Sequence, residues 1–142
     1  MPLSGLRVVD LTRILAGPFC SMLLADMGAE VIKIETPGVG DPVRRQGVVR
    51  DGLSWYFAGF NRNKRSLTLN LRHPEGRAVL EKLIAGCDVL VENFRPGVLA
   101  DMASTRRGST HSTPLSSIAT SPALAPAAPT ATVRPSISLP RR

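Results

Sequence analysis

Four short apolar runs, at residues 6–11, 30–35, 66–71 and 88–92, are spaced along residues 1–102 with helical patterns between the first two and the last two. That rhythm is the strongest constraint on the fold. Strands of this length, carrying Val8, Val9, Val31, Ile32, Val89 and Val91, alternate with helix-length segments in an α/β unit whose sheet is largely parallel. Residues 19–27 predict a helix with Cys20, Leu23, Leu24 and Met27 on its apolar side, opened by Pro18 and closed by Gly28. Residues 74–85 predict a second helix, with Val79, Leu80, Leu83 and Ile84 inward and Gly86 at its end.

Composition changes at Met102. Residues 1–102 hold thirteen Lys and Arg against eleven Asp and Glu, whereas residues 103–142 hold five Arg and neither Lys, Asp, Glu nor an aromatic. Twenty-seven of those last forty residues are Ser, Thr, Pro or Ala, a composition that cannot bury a core and predicts a disordered tail. Of the net charge of +7, the tail therefore carries +5 and the body +2. A nucleic-acid function loses its support, since the excess positive charge lies outside the folding segment. No apolar stretch reaches bilayer length and no leader pattern is evident, so the expected setting is the cytoplasm, without a membrane. Cys20 and Cys87 lack metal-ligand spacing and read as buried free thiols of a reducing compartment.

In a parallel α/β sheet, ligands gather where strands give way to loops and helix N-termini. The loop at residues 12–17 lacks Gly-x-Gly-x-x-Gly spacing, and no Gly-Lys-Ser or Gly-Lys-Thr occurs, which argues against nicotinamide enzymes and P-loop nucleotidases. Asn61-Arg62-Asn63-Lys64-Arg65-Ser66 reads as a cationic, amide-rich loop suited to a polyanion. Trp55, Tyr56, Phe57 and Phe60 read as a local packing patch, in a segment without clear secondary structure. His73 reads as a surface residue at a helix start, and His111 has no partner group.

Taken together, Gly5-Leu6-Arg7-Val8-Val9-Asp10-Leu11-Thr12-Arg13, Ala16-Gly17-Pro18-Phe19, residues 24–35, Gly40-Asp41, Asn61–Ser66 and Val91-Glu92-Asn93-Phe94-Arg95-Pro96-Gly97 resemble the N-terminal part of the family III CoA-transferases. That group includes formyl-CoA transferase, carnitine CoA-transferase and alpha-methylacyl-CoA racemase. The resemblance implies a Rossmann-like lobe over residues 1–102 and, in intact members, two chains interlocked as rings. It implies coenzyme A as a substrate, with no permanently bound cofactor, and an acyl-CoA and a carboxylic acid as reaction partners. An Asp carboxylate of the family attacks the donor thioester to give an anhydride and then an enzyme-bound thioester.

By matching position, the resemblance places Ile14, Leu15 and Ala16 along the adenosine and pantetheine path, Leu69 and Arg72 beside the nucleotide, and Asn93 with Phe94 beside the pantetheine. Thr36 stands where some relatives have Arg, and Asp101 where some have a cation; both departures weaken the expected phosphate site. The family's nucleophilic Asp has no match here, so no catalytic residue is assigned, and a truncated, inactive transferase that cannot form the interlocked dimer is expected. A racemase fragment or a non-catalytic CoA-binding module are the alternatives. Back-translated and read one nucleotide earlier, residues 115–137 yield text resembling the next part of the same family, so the tail is expected to be a frameshift product; a genuine Ser, Thr and Pro-rich tail is the other reading.

Overall fold

The computed structural model describes residues 1–95, residue 98 and the backbone of residues 118–120. Its centre is a parallel sheet in which β1 (Arg7–Asp10) lies between β2 (Glu30–Glu35) and β6 (Val89–Glu92), while β5 (Lys64–Thr68) extends the β2 side. A Rossmann-like α/β lobe was the expectation, and this is one. The chain winds outward from β1 to β2 to β5 and then crosses back to β6, so the strand order reverses between β1 and β6.

Two cores form because successive strand residues point to opposite faces. On one face Val8, Val31 and Val91 pack with Ala25 and Ala29, beneath and just beyond α1 (Ala16–Asp26). On the other, Val9, Leu11, Ile34 and Leu90 pack with Leu80 of α3 (Pro74–Ala85). Burial on both faces is why these strands read as nearly unbroken apolar runs.

The buried face of α1 differs from the expected one. Gly17, Pro18, Ser21, Met22 and Ala25 are buried, whereas Cys20, Phe19, Leu23 and Met27 are exposed. Small residues let the helix lie close to the sheet: a Cβ added at Gly17 would come within 2.4 Å of Thr12. Neither cysteine is fully buried, Cys20 being exposed and Cys87 half-buried, where partial burial raises its thiol pKa. In α3, Leu80 is buried but Val79 is 41% exposed.

The segment without clear signals contains a 3-10 turn (Pro42–Arg45), a hairpin of β3 (Val49–Arg50) and β4 (Leu53–Ser54), and α2 (Trp55–Asn61). Asp51 and Gly52 both have positive φ, at 51° and 78°, which a two-residue hairpin turn of the primed type requires. Ser54 then caps α2 by accepting the Phe57 N–H at 3.2 Å. The aromatic patch is not purely local: Phe60 meets Phe19 of α1 edge-on at 6.1 Å and stacks on Tyr56 at 6.3 Å, while Trp55 and Tyr56 are exposed. Within the segment read as a disordered tail, Ile118–Thr120 forms a short strand, β7, parallel to β6. Pro96, Gly97, Asp101, His111 and the rest of that tail lie outside the described residues.

Candidate functional site

The reversal of strand order leaves the loops after β1 and β6 diverging over the sheet, the position at which open α/β sheets bind ligands. One side chain ties the two loops together. The Asn93 carboxamide accepts the Arg13 N–H at 3.0 Å and donates to the Arg13 carbonyl at 2.9 Å. Beyond it the chain enters a strained turn. Ile14 has φ 73°, a left-handed conformation that a β-branched residue adopts only when its surroundings impose it. Asp41 supplies that constraint, because its Oδ1 accepts the Ile14 N–H at 3.1 Å and the Val43 N–H at 3.0 Å.

Asp41 belongs to a buried ionic network beneath the loops. Lys33, 1% exposed, places its Nζ 2.9 Å from Asp41 Oδ2, the sole partner of that oxygen among the described residues, and donates to the Thr12 carbonyl at 2.9 Å. Asp10, at the end of β1, accepts the Thr12 N–H at 2.8 Å, the Thr12 hydroxyl, the Ser21 hydroxyl at 2.6 Å and Lys64 Nζ at 3.1 Å. Lys64 also donates to the Pro18 carbonyl and to Asn61 Oδ1, both at 2.9 Å. Burial lowers the Lys64 pKa, and the adjacent Asp10 carboxylate opposes that shift. Glu35 closes the network, held by both arms of Arg44 at 2.7 Å and by the Ser66 hydroxyl at 2.7 Å. Burial alone would raise its pKa; these donors outweigh that and bring it down to about 2.

The basic segment at residues 61–66 is thereby corrected. Asn61 ends α2, Lys64 to Ser66 begin β5, and the charges are already matched inside the protein. Lys64 is neutralised by Asp10, Arg62 by Asp26 and Arg65 by Glu30. Arg62 and Asn63 hydrogen bonds also hold the Asp26 carboxyl below its ordinary pKa. Lys64 is sequestered from any ligand, while Arg62 and Arg65 remain exposed in surface ion pairs. An apolar run interrupted by Lys33, in Val31-Ile32-Lys33-Ile34, was the one sequence signal that a buried carboxylate had to lie opposite.

Above the network, a cleft of about 740 Å³ opens along the carboxyl ends of the four strands. Its walls include Leu11 and Arg13 after β1, Thr36 and Pro37 after β2, Leu69 and Arg72 after β5, and Phe94 after β6. Three expected site residues, Leu69, Arg72 and Phe94, therefore share one cavity. Leu69 and Phe94 also pack against the α3-side core, so each has a structural role as well. Asn93 stands beside the cleft with both polar atoms of its amide engaged by Arg13. Ile14, Leu15 and Ala16 are exposed at the start of α1, next to these walls rather than among them.

Arg13 is the residue that sequence reasoning missed. Its guanidinium lies 5.6 Å from the Phe94 ring centroid and donates to the Thr36 hydroxyl at 3.3 Å. Arg72 stands at the other wall, its N–H turned onto Asn70 Oδ1 at 3.1 Å just before α3. His73, as expected, is at the surface and caps α3 by accepting the Glu75 N–H. The cleft thus combines apolar walls with two guanidinium groups, a surface suited to a long ligand with an apolar arm and phosphates.

Known proteins resemble this chain in sequence and fold. The family described as CoA-transferase family III matches residues 3–114, past the change of composition at Met102. Succinyl-CoA:glutarate CoA-transferase of Mus musculus is 51% identical over 102 residues, covering 71% of this chain and 23% of that protein. Formyl-CoA:oxalate CoA-transferase of Bradyrhizobium diazoefficiens is 52% identical over 101 residues, covering 70% and 24%. This chain spans about a quarter of the length of the curated relatives it matches. Among solved structures, a CAIB/BAIF family protein from Brucella suis superposes with a TM-score of 0.67 at 45% identity, over 72% of this chain and 28% of that one. The family match over residues 3–114 and these identities show that the chain belongs to CoA-transferase family III.

Proposed function

We propose that residues 1–102 form the coenzyme A-binding lobe of a family III transferase, which moves CoA from an acyl-CoA to a carboxylic acid. The cleft that gathers Leu69, Phe94, Arg13 and Arg72 above the switch point carries this reading. Leu69 and Phe94 offer apolar surface to the nucleotide and pantetheine, and the guanidinium groups offer forked donors to phosphates. Ile14, Leu15 and Ala16 extend that surface toward α1.

Transfer itself needs a carboxylate that can attack a thioester carbonyl. Glu35 is the one carboxylate lining the cleft among the described residues, and its oxygens are committed to Arg44, Ser66 and the Asp41 N–H. A group so stabilised, with its pKa near 2, is a weak nucleophile. Glu35 is therefore a structural carboxylate and not the attacking group, and the proposed role of residues 1–102 is CoA binding without transfer. The attacking carboxylate is proposed to lie in family sequence outside the described residues, and the tail to be an out-of-frame continuation, although the in-frame family match runs on to residue 114. Resequencing across the Met102 codon tests that origin, and a shifted frame without family resemblance rejects it.

The family resemblance implies interlocked chains in intact members, and the exposed apolar row Leu15, Phe19, Leu23 and Met27, along α1 and its two caps, supports a surface that such an assembly covers. None of the helices described is long and apolar enough to cross a membrane. Calorimetric titration of CoA, with a parallel assay of succinyl-CoA plus glutarate, is the direct test. Binding without turnover is the expected result; turnover above background, or a covalent CoA thioester on the protein, would overturn the inactive reading.

A further inference from the structure

We propose that Arg13 is a phosphate-binding residue of the cleft and that Asn93 acts on the ligand by positioning Arg13. This deepens the coenzyme A reading above and rests on it. Three arginines of the lobe are paired with carboxylates, Arg44 with Glu35, Arg62 with Asp26 and Arg65 with Glu30, whereas the cleft arginines Arg13 and Arg72 are not paired among the described residues. Arg13 has no carboxylate within ion-pair distance among the described residues, yet it lines the cavity. Its guanidinium has five N–H donors, and the hydrogen bond to Thr36 uses one.

The surroundings fix this group rather than neutralise it. Asn93 grips the Arg13 main chain at both its N–H and its carbonyl, and the Phe94 ring supports the guanidinium from one side. With its main chain fixed by the Asn93 amide and its guanidinium bonded to Thr36 beside an aromatic face, Arg13 keeps its charge available to an anion. Phosphate oxygens are the chemical match, because they accept two parallel N–H bonds from the planar fork.

Titrations of CoA and of dephospho-CoA against the 142-residue chain, at low and high salt, provide the test. Arg13→Gln should weaken CoA binding about tenfold or more and leave a shallower salt dependence. A loss confined to CoA assigns the contact to the 3′-phosphate; a loss with both ligands assigns it to the pyrophosphate. Adding Thr36→Arg to Arg13→Gln should restore part of the affinity, since position 36 lies 3.3 Å from the lost guanidinium. Asn93→Ala should weaken binding in the unaltered background and add nothing to Arg13→Gln. Unchanged CoA affinity in Arg13→Gln overturns the proposal while the CoA reading stands, as does a loss that keeps the full salt dependence and is not rescued from position 36. Failure of the unaltered chain to bind CoA removes both readings.

Discussion

Two groups of cations sit within the same lobe and have opposite situations. Lys33 and Lys64 lie under the loops, almost inaccessible to water and matched to Asp41 and Asp10; Arg13 and Arg72 lie in the cleft, with no acidic partner among the described residues. Charges of the first kind hold backbone in place, and charges of the second kind are available to a ligand. Being basic does not separate the two groups in the sequence. What separates them is whether an Asp or Glu from another strand or loop arrives opposite.

The sharpest break of that contrast is Lys64→Met. It leaves the Asp10 carboxylate buried without its ammonium, and removing one partner of a buried pair costs about 3–5 kcal/mol. Urea unfolding should show that loss; a variant as stable as the parent would mean that the network does not hold the loops. Acid provides a second break. With the Glu35 pKa held near 2, below its ordinary 4.5, its contribution is complete above about pH 4.5 and fades as pH falls toward 2. Unfolding midpoints measured across that window should drop, and Arg44→Ala should flatten the profile by removing the bidentate donor.

The open cations predict a different pattern. Arg72→Ala should lower CoA affinity about tenfold while leaving the urea midpoint unchanged. A stability loss without an affinity loss would place Arg72 in the structural group instead. The smallest effect belongs to the solvent-exposed pair Arg65 and Glu30, where Arg65→Ala should cost about 0.5 kcal/mol or less, as measured by the same unfolding experiment.

Much of this architecture was legible in the chain. The strands at Val8 and Val9, Val31 to Ile34, and Val89 to Val91 could be read because burial on both faces demands apolar runs. The glycine stop at Gly28 was legible too, since its φ of 103° disfavours other residues. The face of α1 was not. Hydropathy favoured Leu23 and Met27, whereas the packed face is set by the space that Gly17, Ser21 and Ala25 leave for the sheet, which is a property of a partner surface. The hairpin at Asp51-Gly52 had a recognisable turn dipeptide but only two residues of strand on each side, too few to show alternation. Within the candidate site, Leu69, Arg72 and Phe94 were placed in the cleft by resemblance, while Arg13 had no local signal because its role depends on Asn93, eighty residues away.

That separation has a consequence for the order of events during folding. The Asn93 clamp joins loops whose closure spans most of the lobe, so loop-closure entropy delays it until β6 has docked beside β1. Local contacts within α1, α3 and the β3–β4 hairpin require no such wait. The cleft is therefore among the last features to be completed as the chain folds. A ligand that recognises the clamped arrangement binds the finished lobe and not its precursors, and stabilises it in proportion to the logarithm of ligand concentration. CoA affinity would then report the arrival of β6 at the centre of the sheet.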